Sequence, residues 1–191
     1  MTICVFASSS SRIDNEYANA ATNLGILLAK AKMDVVYGGG GIGLMGKLAD
    51  AVIKNGGRIT GVIPSFMKEE GWDHREVSEM LITSDMGERK KQMFALADAV
   101  VALPGGVGTL EELTEAMTLK QLGLYQGPII ILNTLDFYKS FIEFLEHMVS
   151  GHFLRYEHKG MWEIVGTVEE VMVLLGKQEG WHNDPRSIAR I

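Results

Sequence analysis

Short apolar runs alternate with helix-period segments along this chain, and two of the runs lead straight into glycine clusters. That alternation constrains the fold more than any other feature. The runs at 3–7, 34–37 (DVVY), 58–63 (RITGVI), 99–104 (AVVALP) and 128–132 (PIIIL) are continuous in character, as expected of strands buried on both faces. MLIT at 80–83 and the stretch 162–165 are shorter strand candidates. A helix follows Asp14, with Tyr17, Ala20, Ala21, Leu24, Leu27, Leu28 and Ala31 at helical spacing. A second carries Leu48, Ala49, Val52 and Ile53 inward and stops at Asn55-Gly56-Gly57. Further helices are expected at 85–96, 110–122, 137–149 and 168–175, with a long loop at 65–79. The pattern predicts an α/β fold, a doubly wound parallel sheet with helices on both faces. It is read as one domain over residues 1–177, followed by a polar tail at 178–191.

Composition narrows the function. The 191 residues are 47% hydrophobic and 22% charged, enough for one well-filled core. The net charge of −6 is the opposite of a nucleic-acid binder's basic excess. No apolar run approaches the roughly 20 residues that span a bilayer, and no charged leader precedes an apolar stretch. The lone Cys4 cannot form an internal disulfide, which suits a reducing cytoplasm. It lies within a strand and reads as packing. The histidines lack ligand-like spacing, His147, His152 and His158 included, so no metal site is expected.

Two glycine loops sit where ligands of such sheets bind, at the carboxyl ends of strands. Gly41-Ile42-Gly43-Leu44-Met45-Gly46 has the G-x-G-x-x-G spacing of a dinucleotide turn. It follows the second strand rather than the first, and the next strand ends Val62-Ile63-Pro64-Ser65 without the acid that holds a ribose. The glycines then serve a tight turn and close helix packing, or let a ribose or phosphate approach the backbone. Pro104-Gly105-Gly106-Val107-Gly108-Thr109 is more specific. Its glycines can turn consecutive N–H groups toward an anion, the following helix adds its positive end, and Thr109 adds a hydroxyl. No Walker lysine accompanies it, which argues against ATP hydrolysis.

Charges on apolar faces point to chemistry. In the helix after Asp85, Met86, Met93, Leu96 and Ala97 form a stripe into which Arg89 and Lys90 fall. A charge aimed at a core needs a partner or a cleft, unless it snorkels to solvent. In the helix after the second glycine loop, Leu110, Leu113 and Met117 share one side. Ala116, Leu119 and Leu122 share the other with Glu112 and Glu115. A helix apolar on two faces predicts a partner subunit. Glu111 reads as ordinary dipole complementarity, while Glu112 and Glu115 are candidates for acid–base or charge-stabilising work.

Taken together, CVFASSS, YGGGGIGLMG, GVIP, MGERKKQM, PGGVGTLEE, QLG and PIIILN cover most of the chain. On these motifs it resembles the LOG ("Lonely guy") family of cytokinin riboside 5′-monophosphate phosphoribohydrolases, earlier labelled possible lysine decarboxylases. The resemblance implies a Rossmann-like homodimer, joined here through the helix carrying Glu112 and Leu119. It implies hydrolysis of the N-glycosidic bond of a nucleoside 5′-monophosphate with no cofactor. It assigns catalysis to Arg89 and Glu112. Gly105, Gly106, Val107, Gly108 and Thr109 fall at the phosphate, and Lys90, Glu115 and Thr118 look like further ligand contacts. Ser8, Gly39, Gly40 and Glu70 join the implied site. Gly87 stands where the family usually has histidine and Leu119 where it commonly has tryptophan. A family glutamate aligns at or beside Glu70, with Gly71 at its column. These departures bear on base selectivity more than on bond cleavage. A non-catalytic nucleotide or molybdenum-cofactor carrier of the same fold is the alternative. A pyridoxal-dependent decarboxylase would need a Schiff-base lysine in a pocket, and the sequence offers no such context.

Overall fold

Strand-forming runs and helices alternate in space as they do in sequence. The computed structural model of the protein describes residues 1–177, so the polar tail expected at 178–191 lies outside the described residues. The strands are β1 (Thr2–Phe6), β2 (Asp34–Tyr37), β3 (Ile59–Pro64), β4 (Glu79–Thr83), β5 (Ala99–Ala102), β6 (Ile129–Leu132) and β7 (Glu163–Val165). The helices are α1 (Asn15–Lys30), α2 (Gly43–Lys54), α3 (Ser65–Glu69), α4 (Met86–Leu96), α5 (Val107–Gln121), α6 (Lys139–Ser150) and α7 (Val168–Gly176). All strands pair in parallel in the order β4-β3-β2-β1-β5-β6-β7. This is the doubly wound, Rossmann-like α/β fold expected.

Period-2 alternation along each strand feeds two cores. Ile3, Val5, Val35, Ile59, Val101 and Ile130 point to the face covered by α1, α2 and α7. Cys4, Phe6, Val36, Val62, Val100 and Ile131 point to the face covered by α4, α5 and α6. Strand order reverses between β1 and β5, because the chain steps outward to β4 and returns through α4 to the other side of β1. A crevice therefore opens above the carboxyl ends of these two central strands.

Three local expectations shift. Helix α5 begins at Val107 rather than Leu110 because Gly106 takes the N-cap in extended conformation. Val107, Gly108 and Thr109 are thus its first turn and not a preceding loop. The 65–79 segment holds the short α3 and a β-bridge from Asp73 to Gly40, which straps it onto the first glycine loop. On α4, Met93 and Arg89 are the buried residues, while Met86 and Leu96 are exposed. The start of α4 overhangs the strand ends instead of the sheet, so Met86 lines the crevice. No helix among the described residues is long and apolar enough to cross a membrane.

Candidate active site

The crevice at the switch point is a cavity of about 420 Å³. That is within the usual range for small-molecule sites. Ser8, Ser9 and Ser10 wall it after β1, Gly38 after β2, and Met86 and Arg89 from α4. Gly106, Val107, Gly108, Thr109 and Glu112 wall it from the start of α5.

Helix geometry leaves the first N–H groups of α5 without partners inside the helix. Gly106 offers no side-chain cap. Among the described residues no other protein group accepts from Val107, Gly108 or Thr109. These donors, on residues that line the cavity, form an anion seat reinforced by the helix dipole. Gly105 is not in the cavity wall, and its part is steric: a Cβ there would run into the Thr109 side chain, which packs beneath it. The Tyr138 hydroxyl donates to the Leu103 carbonyl at 2.7 Å and steadies the turn from below.

The first glycine loop does something different. Leu44 and Met45, in the first turn of α2, donate their N–H groups to the Ser8 carbonyl at 2.9 and 3.2 Å. This helix end is therefore occupied by the protein itself. Gly43 adopts a φ of +66° against the backbone of Ser8, Ser9 and Ser10. A Cβ on Gly46 would strike the Gly41 carbonyl. Of the readings left open, tight turning and close packing describe the loop, and Gly38 and Gly40 bring its backbone to the cavity walls.

Arg89 and Glu112 meet at the centre of the site. Their side chains form an ion pair at 2.7 Å, and the residues are only 6% and 7% exposed. Arg89 does not snorkel. Its Nε donates to the Val62 carbonyl at 3.0 Å and its Nη2 to the Gly38 carbonyl at 3.2 Å. The guanidinium thereby joins the ends of β2 and β3 to α5. Gly38 is needed here, since a Cβ would collide with the guanidinium. Burial raises the Glu112 pKa above the ordinary glutamate value, and Arg89 pulls against that rise. Cys4 lies buried in β1; burial, then the Glu112 charge, push its thiol up and away from nucleophilic use.

The face of α5 is rotated from the sequence expectation. Thr109, Glu112, Leu113, Ala116, Met117 and Lys120 are buried, whereas Leu110 is exposed. Glu112 thus belongs to the inner face and not the outer one, because Arg89 supplies a partner for a buried carboxylate. Lys90, Glu115, Thr118, Glu70 and Gly39, all implied at the site, line neither the cavity nor the chamber beside it. Lys90 is held by Glu111 and by Glu115, the latter at 2.6 Å. Burial opposes the Lys90 charge, but the two carboxylates outweigh it and raise its pKa. The Thr118 hydroxyl donates to the Thr114 carbonyl at 2.8 Å and is exposed. Glu70 is exposed at the end of α3. Gly39 is buried against Ile63 and Met80.

That chamber, of about 310 Å³, shares Ser9, Gly38, Met45, Met67 and Arg89 with the cavity. Ile42, Ile63 and Trp72 complete its apolar wall together with Gly40. Gly40 was expected at the site; Ile42, Ile63 and Trp72 were not, although a tryptophan in a charged loop was a visible signal. No lysine lines cavity or chamber, so a pyridoxal Schiff base has no anchor there. Among the described residues no cluster of three His, Cys, Asp or Glu could hold a metal.

Titrating the Glu112 carboxyl by carbon NMR tests this electrostatic arrangement. Its pKa should lie above the ordinary glutamate value because of burial, and Arg89→Gln should move it higher, because the cation that favours ionisation is gone. A carboxyl at or below the ordinary value, or unmoved by Arg89→Gln, would contradict the geometry.

Comparison with known proteins finds relatives over most of the chain. A family model described as "Possible lysine decarboxylase" matches residues 45–178. The chain is 41% identical over 152 residues to a cytokinin riboside 5′-monophosphate phosphoribohydrolase of Arabidopsis thaliana, covering 80% of this chain and 71% of that one. It is 39% identical over 173 residues to the enzyme of the same description, LOG, from Oryza sativa subsp. japonica, covering 91% and 72%. Among solved structures, the molybdenum cofactor (Moco) carrier protein of Chlamydomonas reinhardtii superimposes with a TM-score of 0.70 at 19% identity, covering 92% and 95%. That likeness concerns the fold alone.

Proposed function

The chain belongs to the LOG family, whose model carries the lysine decarboxylase description, and we propose that it hydrolyses the N-glycosidic bond of a purine nucleoside 5′-monophosphate, releasing free base and ribose 5-phosphate. One observation carries the proposal. Two adjoining cavities that share Arg89 in their walls present helix amides left unpartnered among the described residues, a carboxylate–guanidinium pair and an apolar chamber. Phosphate, sugar and base follow one another in the same order of polarity. Relatives named for this reaction support the reading.

Cleavage builds positive charge on the sugar as the C1′–N9 electron pair leaves with the base. Glu112 stabilises that charge and takes a proton from the attacking water, whose hydroxyl bonds to C1′; the proton passes on to the departing base. Arg89 fixes the carboxylate and holds it ionised. The α5 amides grip the phosphate, so binding energy far from the reacting bond orients the sugar. The working unit is a homodimer through α5. Val107 is 85% exposed at the cavity mouth, and Leu110 and Leu122 extend the apolar surface along the helix. Static light scattering should return twice the chain's mass; a monomer at micromolar concentration would refute the dimer.

The function is tested by incubating the protein with AMP, an N6-substituted AMP and adenosine, then chromatographing the free base. The monophosphates should release base, and adenosine should do so at least about tenfold more slowly, having lost charge-assisted hydrogen bonds. Comparable turnover of AMP and adenosine would overturn the phosphate seat. Glu112→Gln preserves shape and should cut base release by about 10²- to 10⁴-fold while nucleotide binding persists. A fully active variant would remove Glu112 from the role, and a wild-type protein that holds nucleotide without releasing base would be a carrier. Because burial raises the Glu112 pKa, the acid limb of the pH–rate profile should lie above the ordinary carboxylate range. Rate should fall as pH drops through it, since the ionised form is the active one.

A further inference from the structure

The apolar chamber beyond Arg89 reads its ligand by contact rather than by polar pairing. Its side-chain polar groups are the Ser9 hydroxyl, the Trp72 indole N–H and Arg89. Each nitrogen of Arg89 already donates one hydrogen bond, Nε to Val62, Nη2 to Gly38 and Nη1 to Glu112, so three of its five N–H groups are spent on the protein. What remains is apolar surface from Ile42, Ile63, Met45, Met67 and Trp72. Trp72 stands apart from the rest. Its indole is half exposed, yet its backbone is pinned on both sides. The Gly41 N–H donates to the Trp72 carbonyl at 3.0 Å, and the Trp72 N–H donates to the Met67 carbonyl at 3.2 Å.

Next along the strap, the His74 N–H donates to the Gly39 carbonyl at 2.9 Å. The His74 ring, almost wholly buried, meets Asp50 of α2 at 3.2 Å through Nε2. Its Nδ1 accepts from the Glu76 N–H at 3.2 Å, which leaves the proton on Nε2 for Asp50. The strap is therefore locked to the first glycine loop and to α2 at two successive points. The backbone of a half-exposed tryptophan is thereby fixed at the edge of the chamber its side chain lines. Pre-positioned aromatic faces bind planar rings and apolar groups with little loss of side-chain freedom.

We propose that Trp72, held over the chamber by the strap and its His74–Asp50 clamp, is the residue that sets base preference, favouring a purine with an apolar substituent over a bare one. The inference rests on the phosphoribohydrolase reading and assigns its selectivity to one side chain. Trp72 touches the base end of the ligand and not the reacting bond, so it acts on KM. Nothing in its position lets it move a proton at C1′.

The test compares AMP with N6-benzyl-AMP in the wild-type protein, Trp72→Ala and Trp72→Phe. Trp72→Ala should lower the ratio of kcat/KM for the benzylated over the plain substrate by about fivefold or more. The change should appear in KM, with kcat nearly constant. Trp72→Phe should restore most of the ratio, which a purely structural role would not do. An unchanged ratio in Trp72→Ala, or a loss confined to kcat, would overturn the assignment. A binding measurement separates this from the proposed reaction. N6-benzyl-AMP should quench tryptophan fluorescence in the wild type, and Trp72→Phe should abolish the quench. If no monophosphate yields free base, the hydrolase reading has failed and the quench alone decides the place of Trp72. A quench that survives in Trp72→Phe refutes it.

Discussion

A guanidinium and a carboxylate 2.7 Å apart, both nearly out of reach of water, tie together the carboxyl ends of β2 and β3 and the first turns of α5. Removing one member of such a pair leaves the other charged and buried, at a cost of about 3–5 kcal/mol. Each partner is therefore retained by the presence of the other. Much of the local sequence answers to this contact. Gly38 lacks a side chain where the guanidinium passes, and α5 turns Glu112 inward at the expense of Leu110. The contact also sets the chemistry. Burial lifts the Glu112 pKa and Arg89 restrains it, a balance that suits the general-base role proposed for it.

The two glycine loops show how similar sequences reach different ends. Both follow parallel strands and both open helices. In α2 the first-turn amides are taken by the Ser8 carbonyl, so the loop becomes a structural joint between β1 and α2. In α5 a bare Gly106 cap leaves the amides of Val107, Gly108 and Thr109 without an acceptor among the described residues. The joint positions the serines beside the cavity, and the open helix end supplies the donors that the proposed phosphate seat needs. Adjoining turns thus furnish a polar cavity and an apolar chamber side by side.

Much of this was legible in the chain. Continuous apolar runs identify the strands, Asp14 and Asp85 mark helix starts that the structure keeps, and Arg89 stands out as a charge on an apolar stripe. What was hidden depends on tertiary partners. Helix periodicity alone places Glu112 with Leu119 and Leu122; only the reach of Arg89 from another helix turns it inward. Lys90, Glu115 and Thr118 share the motifs' neighbourhood, but Lys90 is engaged by two carboxylates and lies outside the cavity. Trp72 sits in a segment without period, and its place depends on a backbone bond to Gly41 across the sheet edge. Propensity has no means of reporting that bond.

The geometry makes a demand on the ligand that one structure can meet or refuse. A crystal structure of the protein with ribose 5-phosphate should place phosphate oxygens within hydrogen-bond distance of the Val107, Gly108 and Thr109 amides. The anomeric carbon should lie against the Glu112 carboxylate, facing the apolar chamber. A phosphate seated elsewhere, or an anomeric carbon turned away from Glu112, would contradict the account.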